Sequence, residues 1–139
     1  MVVPESPAAE DRDLIIATLR AYNESVAGSP RIQSVAILLK DERGATVGGL
    51  WGRTGFDWLF VEFLVVPEPW RGHDLGTKLI HEAERIAVAR GCCGLWLDTF
   101  EFQARGFYEK LGFTLFGTLE DQPVGSRRYF LSKRLIAEG

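Results

Sequence analysis

The sequence predicts an α/β domain built on one mixed sheet with helices on its faces. Three observations carry that prediction. The hydropathy pattern gives the element order α-β-β-β-α-β-α-β-β. A strand, helix, strand unit in the middle requires parallel pairing there, while hairpins at both ends require antiparallel pairing. The length of 139 residues, 46% apolar and 25% charged, suits one soluble domain with a core that needs no metal or disulfide.

Each element follows from its residues. Pro4–Ala9 reads as loose chain. From Asp11 the apolar positions Leu14, Ile15, Leu19, Tyr22 and Val26 recur near helical spacing, and Gly28-Ser29-Pro30 stops the helix. Val35–Lys40 and Thr46–Thr54 form a hairpin across Asp41-Glu42-Arg43-Gly44. Gly48, Gly49 and Gly52 mark a bulge or a close backbone approach in its second strand. Trp58–Val66 is apolar except at Glu62, the pattern of a strand covered on both faces. A helix runs from about Asp74 to Arg90 with Leu75, Leu79, Ala83, Ile86 and Ala87 as its buried stripe, and Gly91 stops it. Gly94–Thr99 is a strand, Ala104–Leu111 a short helix ended by Gly112, and Phe113–Leu119 and Arg127–Leu135 are final strands joined by the loop Glu120–Ser126.

Charge and cysteine content exclude several classes. Sixteen basic against nineteen acidic residues give a net charge of −3, which argues against a nucleic-acid binder. No apolar run approaches the ~20 residues of a membrane span, and the first residues lack the order of a signal peptide. Cys92 and Cys93 are adjacent and cannot staple distant segments, so a cytoplasmic, reducing setting is expected. His81-Glu82 opens like a zinc helix, but Arg85 stands where its second histidine belongs, and no metal site is expected.

The segment from Val66 to Lys78 joins a strand to a helix N-terminus. Glycines there let main-chain N–H groups turn toward a ligand, and the helix start adds unpaired donors and about half a positive charge. Arg71, His73 and Lys78 add side-chain cations, so the segment is built to take an anion. It is not a Walker loop: three residues lie between Gly72 and Gly76, and Thr77 precedes Lys78.

Arg71-Gly72-His73-Asp74-Leu75-Gly76 resembles the cofactor loop of the GNAT superfamily of N-acetyltransferases. Downstream, Ala104-Arg105-Gly106-Phe107-Tyr108-Glu109-Lys110-Leu111-Gly112-Phe113 is similar to a second segment of that family. With the element order, the resemblance spans nearly the whole chain. It implies a splayed parallel central strand pair in a mostly antiparallel sheet flanked by helices, and a single domain over residues 1–139. It also implies acetyl-CoA as co-substrate, its pantetheine arm on the main chain of Leu64, Val65 and Val66. The pyrophosphate would then meet Arg71, Gly72, His73, Asp74, Leu75, Gly76 and Thr77. Asp74 stands where the family pattern has its first glycine; it is expected to cap the helix and to oppose the phosphates.

The chemistry the resemblance implies is direct attack of a neutral primary amine on the thioester within a ternary complex. Tyr108 occupies the family's usual position for the acid that protonates the leaving thiolate. Glu62, on a strand face shared with Trp58, Phe60, Leu64 and Val66, is the expected base. Asp98 is an alternative base or amine-binding group, and Arg127 and Arg128 are read as solvated on a strand edge. The acceptor is a small-molecule or peptide amine, and a homodimer is compatible with the resemblance. The competing reading is an acyl-CoA-binding module with weak or absent catalysis.

Overall fold

The computed structural model describes residues 1–135 and forms two compact units, residues 1–30 and residues from Arg31 onward. The first unit holds one helix, α1 (Ala9–Ala27), ended by Gly28 at φ 78°, whose N–H closes on the Glu24 carbonyl. None of the residues of α1 is buried.

The second unit contains β1 (Gln33–Lys40), β2 (Thr46–Gly55), β3 (Trp58–Val65), α2 (Leu75–Ala89), β4 (Gly94–Phe100), α3 (Arg105–Lys110), β5 (Thr114–Glu120) and β6 (Arg127–Arg134), with a 3-10 turn at Glu68–Trp70. The six strands form one sheet in the order β1-β2-β3-β4-β6-β5. Only β3 and β4 pair in parallel, as the strand, helix, strand order requires; every other pair is antiparallel. Since β6 lies between β4 and β5, the expectation that Arg127 and Arg128 sit on a strand edge fails. The last hairpin folds its second strand inward.

One face of the sheet carries the core. Leu59, Val61, Leu95, Leu97 and Leu131 point to it and are closed off by Leu79, Ile80, Ala83 and Ala87 of α2. Phe107 and Tyr108 of α3, and Leu111 just after it, pack against the same cluster. The other face is aromatic: Phe60 and Trp96 stack at 4.0 Å, and Trp58, Trp96, Phe116 and Phe130 line a cavity of about 410 Å³. Trp51, Phe63 and Val65 are about half exposed or more, so β3 is not covered on both faces as its nearly continuous apolar run suggests. Apolar continuity records what each face can bury, and does not say that each face is buried.

Two irregularities shape the sheet at the site. The β2–β3 hairpin turns through Phe56 and Asp57, both at positive φ, a two-residue turn that sets Gly55 opposite Trp58. The register then slips between Trp51 and Gly52, so that Val61 faces Gly52 while Phe63 faces Trp51 and Glu62 is the extra residue. Gly52 must be glycine, because a Cβ there would overlap the Phe60 carbonyl. This bulge reverses the alternation beyond it. Leu64 and Val66 therefore pack toward the core, and do not share a face with Trp58, Phe60 and Glu62 as the plain period of two predicts.

Candidate active site

The parallel pairing of β3 and β4 runs only from Trp58/Gly94 to Val61/Leu97. Past it, β3 continues to Val65 and β4 to Phe100, so the two strands part where their carboxyl ends meet the loop before α2. On its other side β3 keeps its partner, with Leu64 opposite Leu50 and Val65 opposite Gly49. Gly48 allows that approach; a Cβ on it would press into the Val65 carbonyl oxygen at 2.6 Å. The main chain of Leu64, Val65 and Val66 is thus held on one side and left open on the β4 side.

The loop after β3 is drawn back by its own arginine: Arg71 Nε donates to the Val66 carbonyl at 3.1 Å. Gly72 takes φ 88° and Asp74 takes the left-handed conformation at φ 57°, ψ 24°. Asp74 stands at the first residue outside α2, yet its side chain makes no capping hydrogen bond, which corrects the expectation of a carboxylate cap. What it supplies is a backbone shape that glycine adopts more cheaply. The first hydrogen bond at this end of the helix runs from Lys78 N–H to the Asp74 carbonyl at 3.0 Å. Among the described residues the main-chain N–H groups of Gly72, His73, Asp74, Leu75, Gly76 and Thr77 therefore have no protein partner. A Cβ on Gly72 would meet nothing within 4 Å, so the loop faces open space. Six unpaired donors at a helix start suit a phosphate.

The start of α2 is tied to α3. A Cβ on Gly76 would meet the Phe107 ring at 3.1 Å, so the missing side chain is what lets α3 lie against the loop. Tyr108 follows, edge-on to Phe107 at 5.0 Å and to Phe113 at 5.9 Å. Burial first, and the Asp98 carboxylate second, push its phenol above the ordinary value of 10.0, which keeps it protonated through neutral pH.

Glu62 is not the unpaired carboxylate that its apolar strand suggests. Arg53 Nη1 lies 2.7 Å from its Oε1, and the Arg53 guanidinium covers the Phe60 ring at 5.0 Å. The carboxylate keeps 23% of its side chain in solvent, so it can be reached from the aromatic face. Asp98 is likewise paired, in two contacts with Arg128 at 3.0 and 2.8 Å, and Arg128 also lies over Phe100 and Phe130. Arg53 is a candidate that the sequence does not single out, and Arg128, read there as solvated on a strand edge, is an ion-pair partner instead. Only the strand register, Arg53 opposite Phe60 across the β2–β3 hairpin and Arg128 opposite Phe100 across the non-consecutive pair β4 and β6, brings each cation beside its carboxylate.

The remaining candidates lie elsewhere. Cys92 and Cys93 are free thiols, and Cys92 is raised above its ordinary value, chiefly by burial. Among the described residues no three His, Cys, Asp or Glu side chains are placed to hold a metal ion, and no helix is long and apolar enough to cross a membrane.

The acetyltransferase (GNAT) family profile matches residues 6–113. The chain is similar to an acetyltransferase of Agrobacterium fabrum, 35% identical over 133 residues, 96% of this chain and 97% of that one. It is similar to blasticidin-S acetyltransferase of Streptomyces morookaense, 41% identical over 95 residues, 68% of this chain and 70% of that one. The crystal structure of an acetyltransferase from Bacillus cereus superposes with a TM-score of 0.86 at 35% identity, covering 97% of this chain and 99% of the other.

Proposed function

The chain belongs to the GNAT acetyltransferase family, and we propose that it moves acetyl from acetyl-CoA to a primary amine of a small molecule in a ternary complex. The observation that carries the cofactor assignment is the row of partnerless N–H groups from Gly72 to Thr77 beside the open edge of β3. The pyrophosphate meets that row, while the amides of the pantetheine arm add to β3 at Leu64, Val65 and Val66 as a strand would. Arg71 and His73 lie along the same loop and offset the phosphate charge.

The thioester then sits in the splay between β3 and β4. A neutral amine attacks its carbonyl carbon; the C–N bond forms as the C–S bond breaks. Glu62 takes the proton lost by the amine, with Arg53 holding the carboxylate in place. Tyr108 gives its proton to the departing sulfur and recovers one from solvent; its raised phenol is protonated when that step arrives. The relative named for blasticidin S supports a small molecule over a peptide as acceptor. Two free, adjacent thiols suit a reducing cytoplasm.

The test is acetyl-CoA mixed with a panel of amines, following free thiol and acetylated product by mass spectrometry. Thiol release with an acetylated small-molecule amine is the expected result. Acetyl-CoA binding with no thiol release for any amine would replace this reading with a binding module.

A further inference from the structure

We infer that Arg105 is a positioning residue for acetyl transfer: its guanidinium, laid over the Tyr129 ring and held by Glu109, fixes the rotation of α3 and with it the direction of the Tyr108 hydroxyl. This rests on the reading of Tyr108 as the acid.

The helix α3 cannot set that direction by itself. It has six residues, and Ala104 before it gives no side-chain cap. An isolated helix needs roughly 12–15 residues to hold its shape in water. The far end of α3 is secured, since the Tyr108 carbonyl accepts from the N–H groups of Leu111 at 3.0 Å and Phe113 at 3.1 Å. The near end depends on two side chains. Gln103 Oε1 accepts from Thr99 Oγ1 at 3.1 Å and from the Phe100 N–H at 2.8 Å, which ties the chain before α3 to β4. Arg105 reaches the next strand. Its guanidinium carbon lies 4.5 Å from the centre of the Tyr129 ring in β6, and its Nε donates to Glu109 Oε1 at 2.7 Å. Thr99 and Tyr129 are partners across β4 and β6, so both ties close on one rung of the sheet.

Arg105, Tyr108 and Glu109 stand at i, i+3 and i+4, on one side of the helix. Rotating α3 would therefore move the phenol and the guanidinium together, and the guanidinium would leave its ring. Tyr129 belongs to the core, so that ring is a fixed surface. The rim of a helix lies roughly 6 Å from its axis, where 10° of rotation is about 1 Å. Misplacing a reacting group by about 1 Å can cost on the order of 10²-fold in rate. Stability does not account for the arrangement, because a solvent-reached ion pair one helical turn apart contributes little.

The experiment follows thiol release from acetyl-CoA and from the acetyl ester of thiophenol, a more acidic thiol, with the panel amine that the wild type acetylates fastest. Arg105→Met keeps an aliphatic chain over Tyr129 and removes the guanidinium. It should melt close to the wild type, lower kcat with acetyl-CoA about tenfold, and leave the KM for acetyl-CoA within about twofold. With the thiophenol ester, whose thiolate departs without a proton, most of that loss should disappear. Arg105→Met/Tyr108→Phe should be no slower than Tyr108→Phe alone, because the arginine acts through the hydroxyl. Wild-type kcat in Arg105→Met, an equal loss with both thioesters, or losses that multiply in the double variant would overturn the inference and leave Tyr108 as the acid. Loss of a cooperative melt in Arg105→Met would overturn it equally, by making Arg105 a residue of stability. Tyr108→Phe with no dependence on the leaving thiol would remove the acid reading itself, and this inference with it.

Discussion

Arg53 Nη1 meets Glu62 Oε1 at 2.7 Å across the bulge between β2 and β3, and the same guanidinium lies over Phe60. The pair gives Glu62 an orientation that its strand alone would not. An extra residue in a strand points its side chain less predictably than a regular position, and here a cation fixes it. Glu62→Gln should lower kcat by roughly 10²–10⁴-fold with little loss of stability, the usual weight of a general base. Arg53→Met should keep packing over Phe60 yet lower kcat by about tenfold, because the carboxylate loses its orientation. Steady-state kinetics of both variants check this; wild-type kcat in Glu62→Gln would give the base role to Asp98 or to water.

Tyr108→Phe removes one hydroxyl and leaves the ring contacts with Phe107 and Phe113 intact. The expected signature is a fall in kcat with the KM for acetyl-CoA little changed. A thioester with a more acidic leaving thiol should partly rescue the variant, since such a thiolate departs without a proton.

The same phenol makes the protein sensitive to alkali. Its folded value is raised above 10.0, so the unfolded chain releases this proton first. The contribution to stability is full below about pH 10 and is lost as pH rises through the folded value. Thermal melting from pH 9 upward should show a steeper fall for the wild type than for Tyr108→Phe.

Asp74 sits at φ 57° without a capping bond, so Asp74→Gly loses no cap and relieves backbone strain of about 1 kcal/mol. The variant should melt a few degrees higher. Removing a carboxylate from the row of phosphate donors should also tighten acetyl-CoA binding, by an amount that shrinks in high salt. Calorimetric titration at two salt concentrations checks both signs; weaker binding would mean that the carboxylate organises the loop.

Gly52 and Gly106 should respond oppositely to alanine. At Gly52 a Cβ runs into the Phe60 main chain, which no rotamer change can relieve, and the cost should reach about 3 kcal/mol or more. At Gly106, within α3, a Cβ meets nothing within 4 Å, and helix preference should give about 0.5–1 kcal/mol of stabilisation. Chemical denaturation of the two variants measures the contrast.

The sequence by itself determined the elements and their order. Its periods, glycines and turns record local preferences, and the strands and helices fall within about one residue of where those preferences put them, apart from the starts of α1 and β1, which lie two residues earlier. Parallel pairing of β3 with β4 also followed from order alone, since an intervening helix permits little else. The anion loop was legible for the same reason: its donors are main-chain groups placed by glycines and a helix start. What tertiary structure decided are the relations across strands and between helices. The bulge at Glu62 depends on how β2 meets β3, and it reverses the alternation that put Leu64 and Val66 on the wrong face. The partners of Glu62 and Asp98 come from positions 9 and 30 residues away, joined by register. Gly76 and Phe107 belong to separate motifs, and only the packing of α3 on α2 shows that one is small to admit the other. Sequence periodicity holds what a residue prefers beside its chain neighbours; which side chain meets it across a strand is fixed by register and by one inserted residue.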